Sequence, residues 1–212
     1  MAIFSEDFTA SNQTIDGYND WETSGTGAGT LAIVSNKAVH TSSTNRAGDR
    51  KDMGAVPGLP ITATITMVSG KGVGGGDRWE HFFMIGADIA TTYNSLPATA
   101  DRGAYVLMAA SGSIRMFDGA TQVGSNGGDT GFGVKDIEIF IDTDGSGYVK
   151  VDGVSKVTWA ARTWANINST YCIITMDVSA SNTTNDGSLA YFDTISVDYA
   201  GAATFTPRVM IF

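Results

Sequence analysis

Cysteine occurs once in this chain of 212 residues, at Cys172, so no intrachain disulfide can form and folding does not depend on an oxidising compartment. Histidine occurs twice, at His40 and His81, and the two cannot supply the usual zinc spacings with a lone cysteine. Glutamate occurs four times, at Glu6, Glu22, Glu80 and Glu138, which makes a search for paired catalytic carboxylates short. No apolar run approaches the ~18 residues of a membrane span. The opening MAIFSEDFTA has neither the charged n-region nor the apolar h-region of a signal peptide, so synthesis in the cytoplasm without one is expected. Clustered cations are also missing. Lys and Arg number 13 against 22 acidic residues, for a net charge of −9, and a nucleic-acid partner is not expected.

What the chain does have is glycine and β-formers. There are 26 glycines, hydrophobic residues make up 42% and charged residues only 17%. That balance is globular and suits short strands joined by tight turns, where glycine supplies positive φ without steric cost. Strands are predicted over 2–8, 30–34, 38–42, 61–69, 79–86, 103–109, 113–117, 134–142, 147–151, 155–159, 171–179 and 189–199. In 136–142, Ile137, Ile139 and Ile141 share one face while Asp136, Glu138 and Asp142 share the other, the pattern of a half-buried strand. Residues 61–67 repeat it, with Thr62, Thr64 and Thr66 on the polar side. Asp142–Gly147 and Asp152-Gly153 read as hairpin turns. A short helix has room only in 87–100, where Pro97 limits it. The expected fold is all-β, an antiparallel two-sheet β-sandwich, with one domain over 1–203 and an apolar segment over 204–212.

Three stretches narrow the fold. Phe4-Ser-Glu-Asp-Phe8 with Gly17-Tyr-Asn-Asp-Trp21, the pair of strands meeting at Asp142–Gly147 and continuing to Asp152-Gly153, and Phe192–Tyr199 together resemble the concanavalin A-like lectin and glucanase jelly rolls, including laminin-G-like modules. The resemblance spans roughly residues 3 to 199. It implies a concanavalin-like jelly roll whose closing strand lies beside its first, and it leaves function open, because one fold hosts many.

Candidate sites are sparse. The glucanase motif Glu-x-Asp-x-x-Glu is absent, and its nearest substitute, Asp136 with Glu138, reads as a solvated strand face. His81 neighbours Glu80 in sequence but falls on the opposite strand face, so the two do not form a base with its orienting carboxylate. Gly70–Gly76 matches Gly-x-Gly-x-x-Gly formally, yet a strand rather than a helix follows it, and it reads as a loop. Asp142 and Asp144 begin like a calcium loop, but Gly153 stands where the bidentate Glu is needed; a looser calcium site would draw on these two. No other cofactor is implied. Glycan binding would need aromatic platforms beside polar groups, for which Trp21, Trp79, Trp159 and Trp164 are the candidates, each more often core than platform, with Trp159 and Trp164 expected exposed around a loop. Cys172 reads as a small core hydrophobe. The tail carries Phe205, Val209, Met210, Ile211 and Phe212, apolar residues that suit either a last strand on its own domain or an anchor on another subunit.

With no catalytic set in view, the expectation is a non-enzymatic virion surface protein, a phage capsid decoration or fibre-associated protein, made in the host cytoplasm. It would assemble with other virion subunits or itself, with adhesion to a cell-surface glycan as an added role. The alternatives are a carbohydrate-binding module or lectin, and a glycan hydrolase or lyase using Glu80 and His81.

Overall fold

The computed structural model describes residues 4–23, 31–40, 45–69, 79–87, 102–109, 112–131, 133–178 and 191–200. Their strands are β1 (Phe4–Glu6), β2 (Gln13–Thr14), β3 (Trp21–Thr23), β4 (Leu31–Ile33), β5 (Ala38–His40), β6 (Asn45–Asp52), β7 (Gly58–Ser69) and β8 (Trp79–Ile85). They continue with β9 (Ala104–Met108), β10 (Ile114–Asp118), β11 (Thr121–Val123), β12 (Gly133–Ile141), β13 (Gly147–Val151), β14 (Val154–Trp159), β15 (Tyr171–Val178) and β16 (Tyr191–Ala200). One sheet of nine strands runs β14-β13-β12-β7-β16-β5-β4-β2, with β1 also on β16; the other, of seven, runs β11-β10-β9-β8-β15-β6-β3. Strand neighbours in both pair antiparallel. The chain is an all-β sandwich, as the alternation required.

The resemblance foresaw two local features. The closing strand β16 does pair with the first, Phe4 opposite Val197. Residues 133–141 and 147–151 form the expected hairpin, and β14 follows through a turn in which Asp152 and Gly153 both have positive φ, the geometry that matches strand twist. Of the predicted helix region 87–100 only Ala87 is among the described residues; the Gly70–Gly76 run and the tail 204–212 lie outside them.

Four strands were not foreseen: β2, β3, β6 and β11. The most instructive is β6, Asn-Arg-Ala-Gly-Asp-Arg-Lys-Asp, which has no apolar period at all. It is extended because β15 and β3 flank it on both sides and pair with it residue by residue. Strand formation there follows from sheet context rather than from side-chain preference.

The core lies between the sheets. Ile61, Ala63, Ile65 and Met67 of β7, with Ile137, Ile139 and Ile141 of β12, meet Phe83, Val106, Met116, Cys172 and Ile174 of the seven-stranded sheet. Cys172 is buried, and burial pushes its thiol pKa well up, so it is an inert core residue. Trp21 is wholly buried against Phe4 and Phe8. Buried Glu6 fastens this end: its carboxylate accepts from the amides of Asp7 (3.1 Å) and Phe8 (3.0 Å) and from the Trp21 indole (3.1 Å). Lys51 Nζ, at 3.7 Å, supplies the compensating charge.

Candidate functional site

The two sheets differ on the faces they turn away from the core. The nine-stranded sheet is polar there. Asp136 accepts from Thr66 Oγ1 at 2.8 Å, and Glu138 accepts from Tyr148 Oη at 2.6 Å and Lys150 Nζ at 3.1 Å. The Tyr148 hydroxyl and then Lys150 hold the Glu138 carboxyl below the usual glutamate range. Asp136 and Glu138 thus have separate partners on a polar face, as their alternation implied.

The seven-stranded sheet is apolar on both faces. His81, Phe83 and Ile85 of β8 point into the core, while Phe82 and Met84 point away and join a second cluster with Tyr105, Ile173 and Ala87. The pairing register sets these side chains in rows. One row crosses all seven strands as Gln122, Phe117, Tyr105, Met84, Ile173, Arg50 and Glu22. Six steps at the usual strand spacing of about 4.8 Å make it roughly 29 Å long. Beside it runs a second row, Arg115, Leu107, Phe82, Thr175 and Gly48.

Within the long row the polar groups sit at the ends, and the aromatic pair Phe117 and Tyr105 follows Gln122 at one of them. Tyr105 and Phe117 stack at 4.8 Å between centroids and 8° between planes. Arg50 lies 4.3 Å over the Tyr171 ring, and its Nε donates to Glu22 Oε2 at 3.0 Å. In the second row two polar atoms are orphaned: Thr175 Oγ1 and Arg115 Nε are buried with no hydrogen-bond partner among the described residues. Gly48 leaves room for the Thr175 hydroxyl, since a Cβ at 48 would stand 2.6 Å from it. A buried hydroxyl without a partner costs about 1–3 kcal/mol, so such an atom calls for an explanation.

A second place of interest is the end of the sandwich where residues 160–170 cross from β14 to β15. Here the sequence-predicted residues do converge. The Gly145 carbonyl accepts from both Trp159 Nε1 (2.8 Å) and Trp164 Nε1 (3.0 Å), and the rings meet edge to face at 5.7 Å. Gly145 has φ +80 and its Cβ position is occupied by the Arg162 carbonyl, so glycine is required. Buried Asp118 holds the crossing segment, accepting from Arg162 Nη2 (3.0 Å), the amides of Ala165 and Asn166 (3.1 Å each) and Asn166 Nδ2 (2.9 Å).

These positions correct one expectation. Trp159 and Trp164 are not an exposed pair; both are half-buried against the core, because each indole N–H needs the Gly145 carbonyl that lies inside the hairpin. Trp79 opens β8, and its side chain lies outside the described residues. Asp142 and Asp144 sit in the same hairpin, but their carboxylates serve the turn, accepting from the amides of Thr143 (2.7 Å) and Ser146 (2.8 Å). Hydrogen bonds from Ser146 hold Asp144 below the usual carboxylate range. No cluster of three or more potential metal-ligating His, Cys, Asp or Glu occurs among the described residues. His81 is buried in the core against Phe192, and Glu80 is on the opposite face, so the two do not form a joint site. His40 ends β5. Phe205, Val209, Met210, Ile211 and Phe212 lie outside the described residues. No described helix is long and apolar enough to cross a membrane.

Sequence reasoning missed Arg50, Tyr105, Arg115, Phe117, Tyr171 and Thr175. A signal for part of the set was present. The runs Phe82-Phe-Met-Ile85 and Ala104-Tyr-Val-Leu-Met108 are apolar without alternation, which marks strands with both faces shielded from water. Strand pairing alone puts these residues together.

No protein-family model matches this sequence, and no curated protein matches it. Solved structures do. The carbohydrate recognition domain of Emp47p aligns with a TM-score of 0.61 at 16% identity, over 95% of this chain and 97% of that one. A Bacillus subtilis protein of unknown function with a galectin-like fold aligns at 0.59 and 11% identity, over 94% and 96%. A sialidase aligns at 0.54 and 12% identity over 96% of this chain, which spans 19% of the sialidase's length. At these identities the likeness shows the fold alone, a concanavalin-like jelly roll.

Proposed function

We propose that this lectin-type jelly roll is a carbohydrate-binding module that holds a glycan at the β9–β11 edge of the outward face of its seven-stranded sheet. The observation that carries the reading is the Phe117 ring, partly exposed and stacked on Tyr105, beside exposed Gln122 and partly exposed Arg115 and Leu107. Phe82, Met84, Ile173 and Thr175, further across the face, are buried and support that edge rather than touch a ligand. Sugars present apolar C–H faces and hydroxyl edges together, so they suit a surface that alternates rings with donors and acceptors.

The role is binding without catalysis. Glu22 is the one carboxylate in the two rows, and it is ion-paired with Arg50 at 2.9 Å, so the acid and base that glycoside cleavage needs are not supplied together. The virion-surface reading drew on the signal-less start, the lack of disulfides, the missing catalytic sets, the acidic surface and the apolar tail. None of these speaks for a virion over a glycan-binding module, and the likeness to lectin-type structures supports the glycan reading better. A module of this kind could stand alone or within a longer chain, as the sialidase alignment illustrates.

The test is a glycan array followed by calorimetry on the best hit. Phe117→Ala should weaken binding at least tenfold, about 1.4 kcal/mol, while leaving the unfolding midpoint within a few degrees. An array without saturable hits sinks the reading, as does release of cleaved sugar on incubation.

A further inference from the structure

At the end of the sandwich an open cleft of ≈ 400 Å³ lies between the 142–147 hairpin, the start of β7 and the crossing segment 160–170. Its floor is apolar, formed by Leu59, Ile167 and the Trp164 ring, and its rim carries Thr143, Asp144 and Thr163. The size falls at the low end of the roughly 300–1,000 Å³ of small-molecule sites, suited to one ring rather than to a chain.

Its walls are fixed before any ligand arrives. A segment without regular structure is normally loose, yet this one is tied by the four donors on Asp118, by the Trp164 indole on Gly145 and by the Arg162 amide on the Asp144 carbonyl (3.2 Å). Asn168 and Ser169 amides both reach the Gly86 carbonyl at 3.2 Å. Ordering in advance lowers the entropic cost of binding.

Charge selects the ligand. Arg162 lines the cleft, but its charge is balanced by Asp118 at 3.0 Å, and its guanidinium carbon lies 5.2 Å from the centre of the Trp164 ring. The rim charge left over is the Asp144 carboxylate, an acceptor. An anion would meet repulsion there, whereas a hydroxyl would find a charge-assisted hydrogen bond.

We infer that this cleft is a second binding site, separate from the sheet face, that takes a single neutral sugar ring. The ring's C–H face lies on Leu59, Ile167 and Trp164, and its hydroxyls bond Asp144, Thr143 and Thr163. Uronic and sialic acids are refused. The inference stands on the cleft's own geometry and holds or fails apart from the reading of the sheet.

The test is a two-dimensional NMR titration of the full chain with methyl hexosides, N-acetylglucosamine and glucuronate. A neutral sugar should move the amides of Thr143, Asp144 and Thr163 and the Trp164 indole N–H. Glucuronate should bind at least tenfold more weakly, and Asp144→Asn should narrow that gap. Thr163→Trp fills the cleft from an exposed position that takes no part in the bonds tying the segment, and should abolish these shifts while the Trp159 indole signal stays in place. The inference is overturned if no neutral sugar moves these signals, if shifts arise only around Tyr105 and Phe117, or if glucuronate binds as well as the hexosides.

Discussion

Replacing Thr175 by valine tests whether its buried hydroxyl is satisfied within the fold. Thr175 is fully buried, and its Oγ1 has no partner among the described residues. Valine has nearly the same shape, so the exchange removes an unsatisfied hydroxyl and puts a methyl group in its place. The orphan costs about 1–3 kcal/mol in the folded state, and the buried methyl contributes roughly a further 0.8 kcal/mol at most. Thr175→Val should therefore stabilise the protein by about 1–3 kcal/mol. For a chain of this size the melting temperature should rise by about 2–4 °C per kcal/mol. Glycan affinity should be unchanged, since a wholly buried hydroxyl touches no ligand. Urea unfolding and calorimetric titration on one preparation measure both. A loss of stability would mean that the hydroxyl is satisfied within the fold, and a loss of affinity would refute its burial away from the ligand.

Two further outcomes follow from the hydrogen-bond network. Asp118→Ala strips four donors of their acceptor and leaves Arg162, whose side chain is 27% exposed, only partly rehydrated; a loss of about 2–4 kcal/mol is expected. Hydrogen exchange should show that loss concentrated in residues 160–168, and uniform exchange across the chain would contradict the anchoring role. Acid should also destabilise the fold. Tyr148 and Lys150 lower the Glu138 pKa from 4.5, and the Asp136 amide, followed by Lys135, lowers that of Asp152 from 3.8. The native state thus binds fewer protons than the unfolded one, so the stability these groups contribute is present above those values and is lost as pH falls through and below them. Urea midpoints should decline below about pH 5, with a shallower decline in Glu138→Gln; identical slopes would show that Glu138 is not coupled to folding.

Much of the fold was legible in local pattern. Alternation in 61–67 and 136–142 marks strands with one wet face, and Asp152-Gly153 marks a turn needing positive φ; neither depends on the rest of the chain. Even the wetness of one sheet and the dryness of the other were written in the contrast between Ile-Thr-Ala-Thr-Ile-Thr and Phe-Phe-Met-Ile. The strand β6 was not legible, because Asn45–Asp52 has no apolar face to betray it. The tryptophans were found but misjudged. Their exposure depends on where the Gly145 carbonyl points, a property of the folded hairpin rather than of the residues beside Trp159 and Trp164.

The sequence by itself therefore determined that the chain folds as strands in two layers and which side of most strands meets water, since a period of two is a local property. Only the tertiary structure decided that Gln122, Phe117, Tyr105, Arg50 and Glu22 share one row, and that Asp118 holds a segment more than forty residues away. Strand order and register fix those meetings through hydrogen bonds between distant segments, and a one-residue slip would turn each of these side chains to the other face.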